Sequence, residues 1–152
     1  MRPLNTNKVY SVKAKTNNTG DQLRGLRFKK CHHMFLDRSI YGVDVDLTGD
    51  VVIQFNAMNG GNMVQCDGSV YDVLIAGKTL RYINTEGRES QLFTEDDNAY
   101  FGEQLRCVVV DYGEYFMLQI SGMGSFVGVE KFDSGWYLSV SSQSNAALFS
   151  IQ

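Results

Sequence analysis

The chain has 152 residues, with 17 acids against 14 bases (net charge −3), fifteen glycines and a single proline, Pro3. That length suffices for one core without a second domain. The acidic balance gives nucleic-acid binding no bulk electrostatic support, and no apolar run is long enough to span a membrane as a helix.

Taken in chain order, residues 1–22 read as a loose, polar N-terminal arm with a first strand at 8–15, where Val9, Val12 and Ala14 alternate weakly with polar residues. Residues 23–152 read as one domain. Strands are expected at 26–28 and 33–38, with a turn at Gly42. Val51-Val52-Ile53-Gln54-Phe55 is a β run rich in branched side chains, and Asn59-Gly60-Gly61-Asn62 is a turn by composition. A strand at 70–75 closes on Ala76-Gly77-Lys78. The Asn84-Thr85-Glu86-Gly87 turn joins 80–83 to 88–94, and Glu95-Asp96-Asp97-Asn98 forms an acidic loop. Strands at 105–110, 115–120, 126–129, 136–140 and 147–151 complete about twelve, with no amphipathic helix.

Three glycines, Gly42, Gly87 and Gly135, are followed 13, 14 and 14 residues later by Phe55, Phe101 and Phe149. A period of 45 to 48 residues indicates an internal repeat. Three β units sharing one core give the expected fold: all-β, a β-trefoil of three repeats, an architecture that leaves few strand edges open.

Residues 70–152 carry motifs in an order that resembles the fibroblast growth factors. These are Asn84-Thr85-Glu86-Gly87, Phe101-Gly102-Glu103-Gln104-Leu105, the pair Tyr112 and Tyr115, Phe126-Val127-Gly128-Val129, and Ala146-Ala147-Leu148-Phe149. The resemblance implies a secreted signalling ligand, acting as a monomer on a receptor tyrosine kinase ectodomain, with receptor contacts at Phe28, Glu103, Tyr112 and Phe149. Core positions for Phe28 and Phe149 are the competing assignment. The sequence departs from that family where the heparan-sulfate site would lie: 130–147 carries one base, Lys131, against Glu130 and Asp133. Polyanion binding needs clustered charge, so that site is expected to be weak or moved to Arg24, Arg27, Lys29 and Lys30. Those four residues also read as a solvated basic turn.

A second resemblance, to the interleukin-1 cytokines, rests on Phe116, Ser121-Gly122, Ser125-Phe126 and Gly135-Trp136-Tyr137-Leu138. It implies a cytokine or an antagonist on the same fold. A carbohydrate- or protein-binding trefoil without signalling is the third alternative.

Met1-Arg2-Pro3-Leu4-Asn5 lacks the apolar core of a signal peptide, so either a leader was removed or the chain is not exported by that route; an intracellular role stays open. Asn17-Asn18-Thr19 is a glycosylation sequon if the chain is exported. Cys31, Cys66 and Cys107 leave open one disulfide with a free thiol, or three thiols. His32 and His33 are adjacent and would point to opposite faces of a strand. With no Gly-x-Ser-x-Gly elbow, phosphate loop or metal-type spacing, no enzyme, catalytic residue, metal or cofactor is expected.

Overall fold

The computed structural model describes residues 1–17, 20, 22–33, 36–46, 48–83, 91–94, 101–132 and 135–152. The turn expected at 84–87, the acidic loop at 95–98, Asn18-Thr19 of the sequon, Met34-Phe35 and Asp133-Ser134 lie outside the described residues. Among the described residues the chain is all-β, with antiparallel strand pairing throughout and one short 3-10 turn at Gln143–Asn145.

The strands are β1 (Val9–Lys15), β2 (Gly25–His33), β3 (Arg38–Asp46), β4 (Val52–Ala57), β5 (Val70–Ile75), β6 (Lys78–Thr79), β7 (Arg81–Tyr82), β8 (Phe93–Thr94), β9 (Glu103–Gln104), β10 (Arg106–Tyr112), β11 (Tyr115–Ile120), β12 (Phe126–Phe132), β13 (Gly135–Ser141) and β14 (Leu148–Ile151). The spans expected at 70–75 and 115–120 are those of β5 and β11.

Six strands pair in succession: β1 with β4, β4 with β5, β5 with β10, β10 with β11, β11 with β14, and β14 back to β1. Between them stand the hairpins β2–β3 and β12–β13, which meet at Tyr137 opposite Asp44. The short strands β6 to β9 occupy the stretch between β5 and β10.

Period-two alternation sends one side chain in two inward. Tyr10, Val12 and Ala14 of β1, and Tyr71, Val73 and Ile75 of β5, are buried while their neighbours face out or sit half-buried. Phe116 stacks on Phe149 at 5.6 Å between centroids and meets Phe55 edge-on at 5.8 Å. Cys107 lies in this core, and burial pushes its thiol pKa up. All three cysteines are free thiols.

Equivalent positions recur in the pairing. Ile53 faces Tyr10 and Ile75, Cys107 faces Tyr71 and Ile120, and Phe149 faces Phe116 and Ala14. All three are fully buried.

This corrects the glycine–phenylalanine repeat. Phe149 alone holds an equivalent position; Phe55 is a core residue two places beyond Ile53, and Phe101 is 42% exposed. Gly42 lies inside β3 and makes no turn. A Cβ there would stand 2.5 Å from Gln91 Nε2 and 2.7 Å from Tyr137 Cδ1, so the position is glycine because two side chains lie on its backbone. The strand expected at 33–38 is likewise replaced by the end of β2, a turn with Asp37 at φ +51, and the start of β3.

The N-terminal segment is not a loose arm. Leu4 is buried and β1 is paired on both sides, by β4 and β14.

A second buried layer covers the far side of β3 and β13. Gln91 bridges to Ser139, and the Leu92 N–H donates to the Leu138 carbonyl at 2.9 Å. Beneath them Asp44, Tyr137, Ser139 and Ser141 are buried.

Candidate functional site

Phe101-Gly102-Glu103, at the entry to β9, is a constrained and exposed element. Gly102 has φ +76, in the left-handed region, and a Cβ there would meet the Tyr82 carbonyl oxygen at 2.5 Å. Glycine is therefore required both by the backbone angle and by the contact. β9 pairs with β7, placing Glu103 opposite Tyr82 and Gln104 opposite Arg81.

Side chains reinforce this register. Arg81 Nη1 donates to the Gly102 carbonyl at 3.3 Å, and the Tyr82 hydroxyl donates to Glu103 Oε2 at 3.2 Å. Tyr82 is buried, and its pKa is pushed up to about 12 by burial first, then by the charge of Glu103 and the hydrogen bond to it. Its phenol thus stays protonated as a fixed donor, orienting a carboxylate that remains exposed. Two residues before Glu103, the Phe101 ring carries the Arg38 guanidinium 4.2 Å from its centroid. An aromatic ring and a cation are thus held against each other, next in the chain to an oriented carboxylate.

The four residues expected to share a receptor face are dispersed. Glu103 is exposed in the element just described. Tyr112 is 56% exposed but lies at the other end of β10, a strand about 20 Å long, beside the Gly113 turn that leads into β11. Phe28 is half-buried on β2, opposite Val43 and packed against the core. Phe149 has no exposed surface, so its surface role is overturned: its ring is needed to fill the space between β1 and β11.

The basic residues do not form one patch, because the strand period divides them. Arg27 and Lys29 lie on one face of β2 and Lys30 on the other. Arg27 forks onto Asp44 at 2.8 and 3.1 Å and reaches Asp46 at 3.6 Å, and Asp44 raises its pKa. Lys29 stands over the Tyr137 ring at 5.9 Å, and Arg24 donates to Gln22 at 3.3 Å. Lys131 is exposed opposite Trp136. Asn17 is exposed and donates to Asn145 Oδ1 at 2.6 Å.

The histidines face opposite ways, as their adjacency implied. His32 pairs with Asp37 at 3.0 Å, while His33 is buried, accepts the Leu36 N–H at 3.1 Å on Nδ1 and packs edge-on against Phe93 at 5.2 Å. Among the described residues no three His, Cys, Asp or Glu side chains come together as a metal site, and no helix is long and apolar enough to cross a membrane.

In the sequence Phe101 reads as one of the repeat's phenylalanines, and nothing marks Arg38 or Tyr82. Their contacts span 63 and 21 positions, so only the fold brings them together. Comparison with protein-family models, curated proteins and solved structures finds no match to this chain.

Proposed function

We propose that this chain is a β-trefoil ligand that acts by binding a receptor ectodomain, in the manner of the fibroblast growth factors, and carries out no chemistry of its own. The fold part of this reading is supported by the cycle of six pairings with hairpins between them, and by the threefold recurrence of Ile53, Cys107 and Phe149. The functional part rests on one observation: exposed Phe101 carries the half-buried Arg38 guanidinium on its ring and is followed by Gly102, whose backbone is fixed, and exposed Glu103, whose carboxylate is held by Tyr82. Pre-organised aromatic and arginine side chains are the usual anchors of protein interfaces, because little entropy remains to be lost on binding.

The same reading makes the molecule an extracellular monomer that uses heparan sulfate weakly. Arg27 and Arg106 are engaged by Asp44 and Asp72, at 2.8 and 3.0 Å, so two cations otherwise open to sulfate already carry carboxylates. The interleukin-1-like alternative is favoured by Trp136, which stands 41% exposed on β13 within the stretch carrying that resemblance. A trefoil binding module without signalling is the third alternative.

Surface plasmon resonance against a panel of receptor ectodomains from both cytokine families tests the reading. A fibroblast growth factor receptor is expected to bind, and Phe101→Ala with Glu103→Ala to weaken binding at least about tenfold. Tyr112→Ala, a strand's length away, is expected to have a smaller effect. Binding indifferent to the double variant would overturn the assignment, and binding only to interleukin-1 receptors would favour the alternative. Firm retention on heparin above roughly physiological salt would contradict the weak glycan site.

A further inference from the structure

We infer that Asn59 is a site of spontaneous backbone modification, where its side chain cyclises onto the Gly60 nitrogen and hydrolyses to aspartate and isoaspartate. It is the one asparagine in the sequence followed by glycine. It lies in the exposed loop between β4 and β5, where Met58 through Met63 are all exposed.

Three observations favour ring closure. Gly60 has φ +79 and no side chain, and a Cβ built on it would meet no atom within 4 Å, so the space beside its Cα is open. The Gly60 N–H donates to no protein group among the described residues, and closure breaks no hydrogen bond at that atom. The Gly61 N–H donates to Asn59 Oδ1 at 3.3 Å, which turns the amide along the chain. It also places a donor on the oxygen that gains charge as the tetrahedral intermediate forms.

The chemistry balances without a co-reactant other than water. The Gly60 nitrogen bonds to Asn59 Cγ as its proton passes to solvent base. The Cγ–Nδ2 bond then breaks and the nitrogen leaves as ammonia. Water opens the resulting ring at either carbonyl, giving aspartate or, with the main chain lengthened by one carbon, isoaspartate.

Asp67-Gly68 could close the same ring only through its protonated carboxyl. The Ser69 hydroxyl and N–H donate to that carboxylate at 2.6 and 3.1 Å, holding its pKa below the usual range and opposing the reactive form.

The product would not be silent. Thr6 grips this loop through its N–H to the Asn62 carbonyl at 3.0 Å and its hydroxyl to the Gly61 carbonyl at 2.6 Å, and Val64 N–H donates to the Leu4 carbonyl at 2.9 Å. Conversion therefore adds a negative charge, and in the isoaspartyl form an extra backbone atom, beside the clasp that seats Leu4 in the core.

Peptide mapping by mass spectrometry of the intact folded chain after prolonged incubation tests this. Position 59 is expected to exchange its amide for a carboxyl faster than Asn56 and Asn62, and faster in mildly alkaline than in mildly acid buffer. Asn59→Gln should abolish the change, and Gly60→Ala should slow it roughly tenfold by crowding the nitrogen. The comparison of the native chain with the same chain in denaturant needs no variant to fold. Conversion at position 59 no faster than at Asn56 and Asn62, or a native rate more than roughly tenfold below the denatured rate, would overturn the inference.

Discussion

At the scale of single residues, Tyr82 shows how a buried group tunes an exposed one. Its phenol is neutral because the core surrounds it, and that neutrality allows it to donate to Glu103. The folded state holds this proton to about pH 12, above the ordinary value of 10.0. The contribution to stability is therefore complete below pH 10 and is lost as pH rises between 10 and 12. Ultraviolet titration of phenolate formation should show a late-ionising component, and Tyr82→Phe should reduce it by one tyrosine. The variant should also lose about 0.5–1.5 kcal/mol of stability as the hydrogen bond disappears. A late component of the same size in Tyr82→Phe would contradict this.

At the scale of elements, what could be read in the sequence depended on whether the cause was local. β5 and β11 are short apolar runs bounded by glycine-containing turns, and the pattern alone delimits them. The β2–β3 hairpin was not legible. Its central glycine, Gly42, owes its identity to Tyr137, 95 positions away, and a glycine lying under a ring looks in sequence like a glycine in a turn. The candidate site divides in the same way. Glu103 came from a short motif, whereas Arg38 reaches Phe101 only after β3 has been folded across the molecule. Phe149, expected on either surface or core grounds, is resolved by its stack on Phe116. Phe149→Ala should therefore cost about 3–5 kcal/mol in chemical denaturation, a loss that a surface position would not show.

For the whole molecule, the cycle of pairings gives the N-terminal strand an importance that its polar composition conceals. β1 satisfies the facing edges of both β4 and β14, and its Tyr10, Val12 and Ala14 enter the core. Removing residues 1–15 should expose two strand edges and abolish cooperative unfolding. A truncated chain retaining a sharp thermal transition would contradict this. In the intact chain, amide hydrogen exchange in β1 is expected to be as slow as in β10 and β11, because all three should open only with global unfolding.

The pairing of Val12 with Ile151 also sets a schedule for synthesis. β4 can cover one edge of β1 early, but the strand that covers the other is made 133 or more residues after β1 is complete. At translation rates of about 5–20 residues per second, that edge waits on the order of ten seconds or more. Throughout that interval the nascent chain presents Val12 and Ala14 beside unsatisfied backbone groups, open to the same strand of a neighbouring chain on the polysome. The lysines at 13 and 15, on the outward face of β1, place positive charge along that waiting edge and repel an identical copy.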